Sequence, residues 1–268
     1  AKAEPERPIT TIAVINPLSF LATSTSFSQI DLSWVKNTDN NDVMLAWSYS
    51  ATFGTPEYGT VYEPGTTLPG GGNVLYKGSA ASFNHTSLAP STTYYYKAFS
   101  YNESNEFSTG INANATTLCS IHSLPFSESF DSPDIPVCWT QQSSGAYGEG
   151  TWAVSNSSSA GGAAYEMKLV DNWPMAGTTR LVTPPLNTTG MSRLNLSFKH
   201  YFFEYSTVCT LRVQSSSNGI NWTNEWNMTP SGNSVGPATV MTSVYNNLNS
   251  PTTYLAFTLV RNDYVYDD

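Results

Sequence analysis

Three histidines, His85, His122 and His200, are the side chains of this chain best suited to moving a proton near neutral pH. Nucleophilic catalysis would need one of them beside an activated Ser or Cys. Each stands in an unrelated segment, and no Gly-x-Ser-x-Gly turn accompanies any of them. His-Glu-x-x-His, Cys-x-x-Cys and Gly-rich phosphate loops are also missing, so zinc hydrolysis and nucleotide chemistry have no support. The histidines read as ordinary residues, His200 in an inward slot of its strand. Glycoside hydrolysis would need two carboxyl groups ~5–10 Å apart in a cleft. Glu166, Asp171, Glu204 and Glu225 are available and read as solvated surface acids.

Binding chemistry is better represented. Sugars stack on exposed aromatic faces, and Trp152, Trp173, Trp222 and Trp226 sit in or near polar loops. Trp173, within VDNWPMAG, is the first candidate for a ligand platform because turn-forming residues surround it. Trp222 and Trp226 follow. Cys209 alternates with Leu211 and Val213 in TVCTLRV and reads as a small buried hydrophobe. Cys119 and Cys138 bracket a short segment. A bridge across it would be worth ~3 kcal/mol in the chain-entropy model. Spacing alone leaves that pairing open.

These side chains have to be held by strands. Charged residues make up 12% of the 268 and aromatics 13%, with Asn, Ser, Thr, Gly and Tyr abundant. Such a mixture disfavours helix and suits strands joined by polar turns. The net charge of −9 excludes the basic face that nucleic-acid phosphates require. No stretch approaches the ~20 apolar residues of a membrane-spanning helix. Sequons at Asn84, Asn102, Asn114, Asn156, Asn187, Asn195, Asn221 and Asn227 fit a secreted surface. Residues 1–15, charged and Pro-rich at the start, read as a linker or processed N-terminus.

Period-two runs mark the first half. QIDLSW puts Ile30, Leu32 and Trp34 on one face, and DVMLAWSY groups Val43, Leu45, Trp47 and Tyr49. TTYYYKAFSY sets Tyr94, Tyr96 and Ala98 opposite Tyr95, Lys97 and Phe99. The separators NTDNND, PGTTLPGGGN and NESNE are turn material. Leu88-x-Pro90-x-Thr92-x-Tyr94 resembles the fibronectin type III signature before strand F. That resemblance implies a tyrosine corner at Tyr94 and a core role for Trp34, over residues 16–117. The segment FGTPEYGTVYEPGTTLPGGGNVLY departs from the plain module, and reads as a long loop covering an edge strand.

From residue 118 the texture changes. LPFSESFDSPDIPVCW resembles the opening strand of the jelly-roll domains called cleaved-adhesin or choice-of-anchor J modules, relatives of the MAM domain. Pro125, Phe126, Glu128, Phe130 and Trp139 carry the match. RLVTPPLNTTG, RLNLSFKHYF and the Asn218–Gly219 hairpin in SSSNGINW follow in the order that the resemblance implies. The terminal YVYDD is similar to the closing strand, and its stopping short implies that residues 118–268 lack their last strand. The resemblance implies a structural Ca²⁺ joining first strand to last, through Glu128 and Asp267 or Asp268. A hard cation there would relieve the repulsion between carboxylates brought together by two distant strands.

The expectation is therefore an all-β chain of two tandem β-sandwiches, fibronectin type III-like (immunoglobulin-like) and then jelly roll. Its expected role is non-enzymatic: adhesion, binding and spacing in a secreted or cell-surface bacterial protein, with a glycan or protein on a surface and the neighbouring domains of the same polypeptide as partners. An ancillary piece of a secreted hydrolase, with catalysis elsewhere, is the second expectation.

Overall fold

The computed structural model describes residues 13–145, 151–170, 176–203, 209–230 and 234–261. The expected linker at residues 1–15 lies outside them up to residue 12. The chain divides into two compact units, Ala1–Cys119 and Ser120–Asp268. All the regular structure among the described residues is strand.

Seven strands build the first unit: β1 (Ser19–Ser24), β2 (Gln29–Val35), β3 (Asp42–Ser48), β4 (Asn73–Gly78), β5 (Ser82–Thr86), β6 (Thr93–Tyr101) and β7 (Ile111–Thr116). They form a three-stranded sheet, β1-β2-β5, and a four-stranded sheet, β4-β3-β6-β7. Every pairing is antiparallel. This is an immunoglobulin-like sandwich, and period two explains its core. Ile30, Leu32 and Trp34 of β2 meet Val43 and Leu45 of β3 and Tyr94, Tyr96 and Ala98 of β6. All are nearly sealed from water. Each large apolar side chain so buried contributes roughly 1.5–3 kcal/mol relative to exposure.

Alternation fails on β3. Met44 and Ala46 point away from that core, yet they are as fully buried as Val43 and Leu45. The segment 49–72, between β3 and β4, folds back over the outer face of the sheet. Tyr62 and Leu68 from it join Met44, Ala46, Val74 and Phe99 in a second apolar cluster. The expected edge cover is only part of its work. It does pair at the edge, Gly65 N–H donating to Val74 C=O and Val74 N–H to Thr66 C=O, but its apolar residues roof central strands. Gly54 closes the base of this segment, donating to Gly71 C=O at 2.8 Å. A Cβ there would overlap the Pro69 carbonyl, so only glycine fits.

The second unit contains β8 (Thr140–Gly145), β9 (Thr151–Ser155), β10 (Glu166–Val170), β11 (Gly177–Val182), β12 (Leu194–Phe203), β13 (Cys209–Ser216), β14 (Thr223–Met228), β15 (Ser234–Val244) and β16 (Tyr254–Arg261). Five make one antiparallel sheet in the order β14-β13-β16-β11-β8; β12 pairs with β15 and β10 with β9. β12 alternates strictly between half-buried and exposed residues. Its inward Phe198 meets Phe257 of β16 and Trp226 of β14 edge-on, with ring centroids 5.2 and 5.5 Å apart. Phe202 packs with Cys209, Leu211 and Leu259. Hence β12 and β15 lie against one face of the five-stranded sheet, and this unit too is a β-sandwich.

Two local expectations differ. FSESF is not a strand; residues 123–138 are irregular, and the ladder contact lies upstream, in a parallel bridge between His122 and Leu186. Pro125, Pro133 and Pro136 remove ladder donors, and Phe130 and Cys138 take positive φ, so pairing cannot run through. The Asn218–Gly219 connection is a longer loop rather than a two-residue turn. Only Gly219 has positive φ, and the Asn218 carboxamide accepts from the Ile220 and Asn221 amides at 2.9 Å each. That capping favours a different turn from the type that needs both residues left-handed.

Candidate functional site

Strand β6 explains the Tyr-Tyr-Tyr run. Tyr94 is 2% exposed, and its hydroxyl accepts from the Ala89 amide at 2.9 Å, tying the strand to the turn before it. Tyr96 is fully buried and its hydroxyl lies 3.1 Å from His85 Nδ1. Tyr95 faces outward, half-buried. Trp34 is 3% exposed and packs on Tyr76 with centroids 5.6 Å apart. Tyr94, Trp34 and Tyr96 thus form structure rather than a site.

Each histidine is spent on packing. His85 sits among Trp47, Tyr94 and Tyr96 inside the first sandwich. Burial pushes its pKa from 6.5 down to about 4. His200 packs between Phe198 and Trp226, and burial lowers its pKa too. His122 packs tilted against Phe126, with ring centroids 5.0 Å apart. His85 has the Tyr96 hydroxyl as its neighbour, and burial raises that tyrosine's pKa, so both stay neutral.

The carboxylates pin loops. Glu166 accepts from Ser157 Oγ at 2.6 Å and from the Ser159 and Ala160 amides at 3.0 and 2.9 Å. Burial pushes its carboxyl up, but those hydrogen bonds outweigh it and hold the pKa below the ordinary value. Glu225 accepts from Ser215 Oγ at 2.6 Å and from the Tyr245 and Asn246 amides at 3.0 and 3.1 Å. Asp171 and Glu204 lie outside the described residues.

Glu128 is exposed on the irregular segment and accepts from the Phe130 amide at 2.8 Å. Asp267 and Asp268 lie outside the described residues. Among the described residues, no three His, Cys, Asp or Glu side chains gather where they could hold a metal ion. Glu128 alone supplies one or two of the six to eight oxygens that Ca²⁺ takes, so the described donors do not by themselves form that centre. Cys119 and Cys138 are both disulfide-bonded. Cys209 is 3% exposed on β13.

Of the tryptophans, Trp173 lies outside the described residues. Trp226 faces β12, where its ring is occupied by Phe198 and His200. Trp222 turns to the opposite face. Its indole N–H donates to Gln142 Oε1 at 3.1 Å, and the Arg180 guanidinium lies over its ring at 5.6 Å. Trp139, 8% exposed, stacks on Phe257 at 6.5 Å.

Trp222 belongs to a polar surface that residue-by-residue reading misses. The register aligns Gln142, Arg180, Thr258, Arg212 and Asn227 in one row across all five strands. Phe257 and Leu259 flank Thr258 and point towards β12, so the row points the other way. Arg180 Nε donates to Gln214 Oε1 at 2.8 Å, which also accepts from Thr258 Oγ1 at 3.0 Å. Gln214 Nε2 donates to Asn224 Oδ1 at 2.8 Å. Burial, and then the charge of Arg212, lower the Arg180 pKa. The sequence carries little signal of it: Arg212 merely fills the polar slot between Leu211 and Val213, and Arg180 follows two threonines.

Among the described residues no helix is long and apolar enough to cross a membrane. No family profile matches the chain, and no curated protein matches it. Among solved structures it is similar to FN3tt, at 14% identity and TM-score 0.30 over 41% of this chain and 100% of that one. The fibronectin type III domain of human collagen XX gives 23% and 0.27, over 43% and 100%. The FN5 domain of Drosophila Lar gives 18% and 0.26, over 40% and 98%. The sandwich architecture described above rests on strand order and register.

Proposed function

We propose that this chain is a non-catalytic binding and spacing portion of a secreted or cell-surface multidomain protein. One observation carries the reading: among the described residues the histidines and the acids Glu166 and Glu225 are dispersed through separate cores and loops. His85 and His200 lie within separate cores, while Glu166 and Glu225 are each saturated by loop donors. Catalytic groups would instead converge on a shared open space. The first unit supplies a rigid sandwich, and the second resembles the cleaved-adhesin jelly rolls in the order of its motifs. Its partners are a glycan or protein on a surface and the neighbouring domains of its own polypeptide.

The test is paired. The chain is assayed for retention on immobilised glycans and cell-surface proteins, and for turnover of a panel of polysaccharides and peptides. Retention without turnover is expected. Reproducible turnover that tracks the purified chain would reject the reading.

A further inference from the structure

We propose that the five-stranded sheet face turned away from β12 and β15 binds an acidic polysaccharide, with Arg180 and Arg212 clasping a uronate carboxylate. This rests on the reading of the chain as a binding module and names the ligand class of one surface.

The placement comes first. Arg180 on β11 and Arg212 on β13 both pair with Thr258 on the intervening β16. Strands in a sheet lie ~4.8 Å apart, so the two arginine Cα atoms stand ~10 Å apart with side chains on one face. That span suits two guanidinium groups converging on one carboxylate or gripping neighbouring ones. Among the described residues neither arginine has a carboxylate partner; the ion pair found there is Lys36–Asp42, in the other unit. The chain carries 20 acidic residues against 11 basic ones. Two cations side by side without an acid repel, and burial first and the Arg212 charge second lower the Arg180 pKa. A bound anion would relieve that repulsion.

Arg212 supplies an independent observation. Its Nε is sealed from water and has no hydrogen-bond partner. A buried unmade donor on a charged group is expensive, and a shift of the Arg212 side chain on binding would let a ligand oxygen satisfy it. Arg180 is by contrast oriented by Gln214, itself held by Thr258 and Asn224. Its terminal nitrogens are left for the planar, two-pronged contact that carboxylates make with arginine.

The surroundings favour a sugar over a peptide carboxylate. Asn224 and Asn227 are exposed at one side and offer amides suited to ring hydroxyls, Gln142 and the buried Gln214 hold Trp222 and Arg180 in place, and Trp222 adds an aromatic surface. A polar row crossing five strands suits a chain lying along it, met by the arginine and asparagine side chains, since Thr258 at its centre is buried.

The experiment is calorimetric titration of the whole chain with polygalacturonate, with fully methyl-esterified polygalacturonate as its neutral counterpart. Inorganic phosphate and a peptide with a free C-terminal carboxylate are further arms. Arg180→Gln and Arg212→Gln are measured beside wild type, with Arg180→Lys as a charge-retaining control and melting curves to verify folding. Binding of the acid, none of the ester, and a loss of roughly 10- to 100-fold for each Gln variant are expected, as for a lost charge-assisted hydrogen bond. Arg180→Lys should retain an intermediate affinity, and rising salt should weaken binding. No binding of polygalacturonate, binding unchanged in folded Gln variants, or preference for phosphate or the peptide overturns the inference. Retention on other glycans or proteins that survives both substitutions overturns it too, yet leaves the binding-module reading standing. Turnover in the enzyme panel would reject that reading on its own.

Discussion

The Tyr94 hydroxyl accepts the Ala89 amide proton at 2.9 Å, closing a loop of chain between the end of one sheet and the start of β6. Ala89 follows Leu88, which is buried in the same core. Strand entry, turn and core are therefore fixed by one contact. Tyr94→Phe keeps the ring and deletes the acceptor, leaving the Ala89 amide unmatched. The expected loss is ~1 kcal/mol or more, read as a lower denaturant midpoint for the first unit. An unchanged midpoint would mean that solvent serves Ala89 equally well.

His85 should make the first unit acid-sensitive. Its pKa is about 4 in the folded state, against an ordinary 6.5 when exposed. Between those values the unfolded chain binds a proton that the folded chain refuses. Stability is thus fully present above pH ~6.5, falls as the pH drops towards 4, and levels off below that. His85→Leu should flatten this limb of melting temperature against pH. Glu166 acts lower on the scale. Its depressed carboxyl stabilises the second unit above the ordinary carboxylate pKa, and that contribution disappears as the pH falls through the folded value. Persistence of the upper limb in His85→Leu would assign it to another group.

The roof over β3 and β6 should behave as core. Leu68 is 2% exposed and Tyr62 5%, and Tyr62 Oη also accepts from the Glu57 amide at 3.0 Å. Leu68→Ala should cost about 2–5 kcal/mol and increase binding of a hydrophobic dye as Met44 and Phe99 become accessible. A loop merely resting on the sheet would tolerate the change.

What the sequence made legible follows from local periodicity. Ile30, Leu32, Trp34, Tyr94 and Tyr96 alternate within single strands, so their common face could be read directly. Met44 could not be read, because its cover comes from residues with no period. FSESF was expected to be a strand from its resemblance to the cleaved-adhesin opening, while the prolines around it decided otherwise. The Arg180–Arg212 row was invisible for a topological reason. β16, the strand that makes them neighbours, comes last in the described sheet, and no short motif encodes a register among three separated strands.

Calcium has a direct test. Glu128 with Asp267 or Asp268 remains the proposed ligand set that the resemblance to the cleaved-adhesin modules implies, Glu128 standing on an irregular segment and both aspartates outside the described residues. Adding a chelator to the whole chain should lower the melting temperature by several degrees, and restoring Ca²⁺ should reverse it. Glu128→Gln should abolish the chelator effect. An identical melting curve with and without chelator removes the proposal.

The tryptophans should separate by face. Trp226 fills space between the sheets beside Phe198, His200 and the strand residue Val213 paired with it. Trp226→Ala leaves a cavity there and should cost about 3 kcal/mol. Trp222 instead gives one hydrogen bond to Gln142 and one face to Arg180. Its replacement by Ala should cost only ~1 kcal/mol. The order reverses in binding: Trp222→Ala should weaken retention on glycan more than its small effect on melting explains, because it frees Gln142 and Arg180 from their present positions. Trp173→Ala enters the same assay, its turn-rich sequence making it the other proposed platform. Retention unchanged in Trp222→Ala and Trp173→Ala would show that neither indole meets the ligand, whatever the melting curves give.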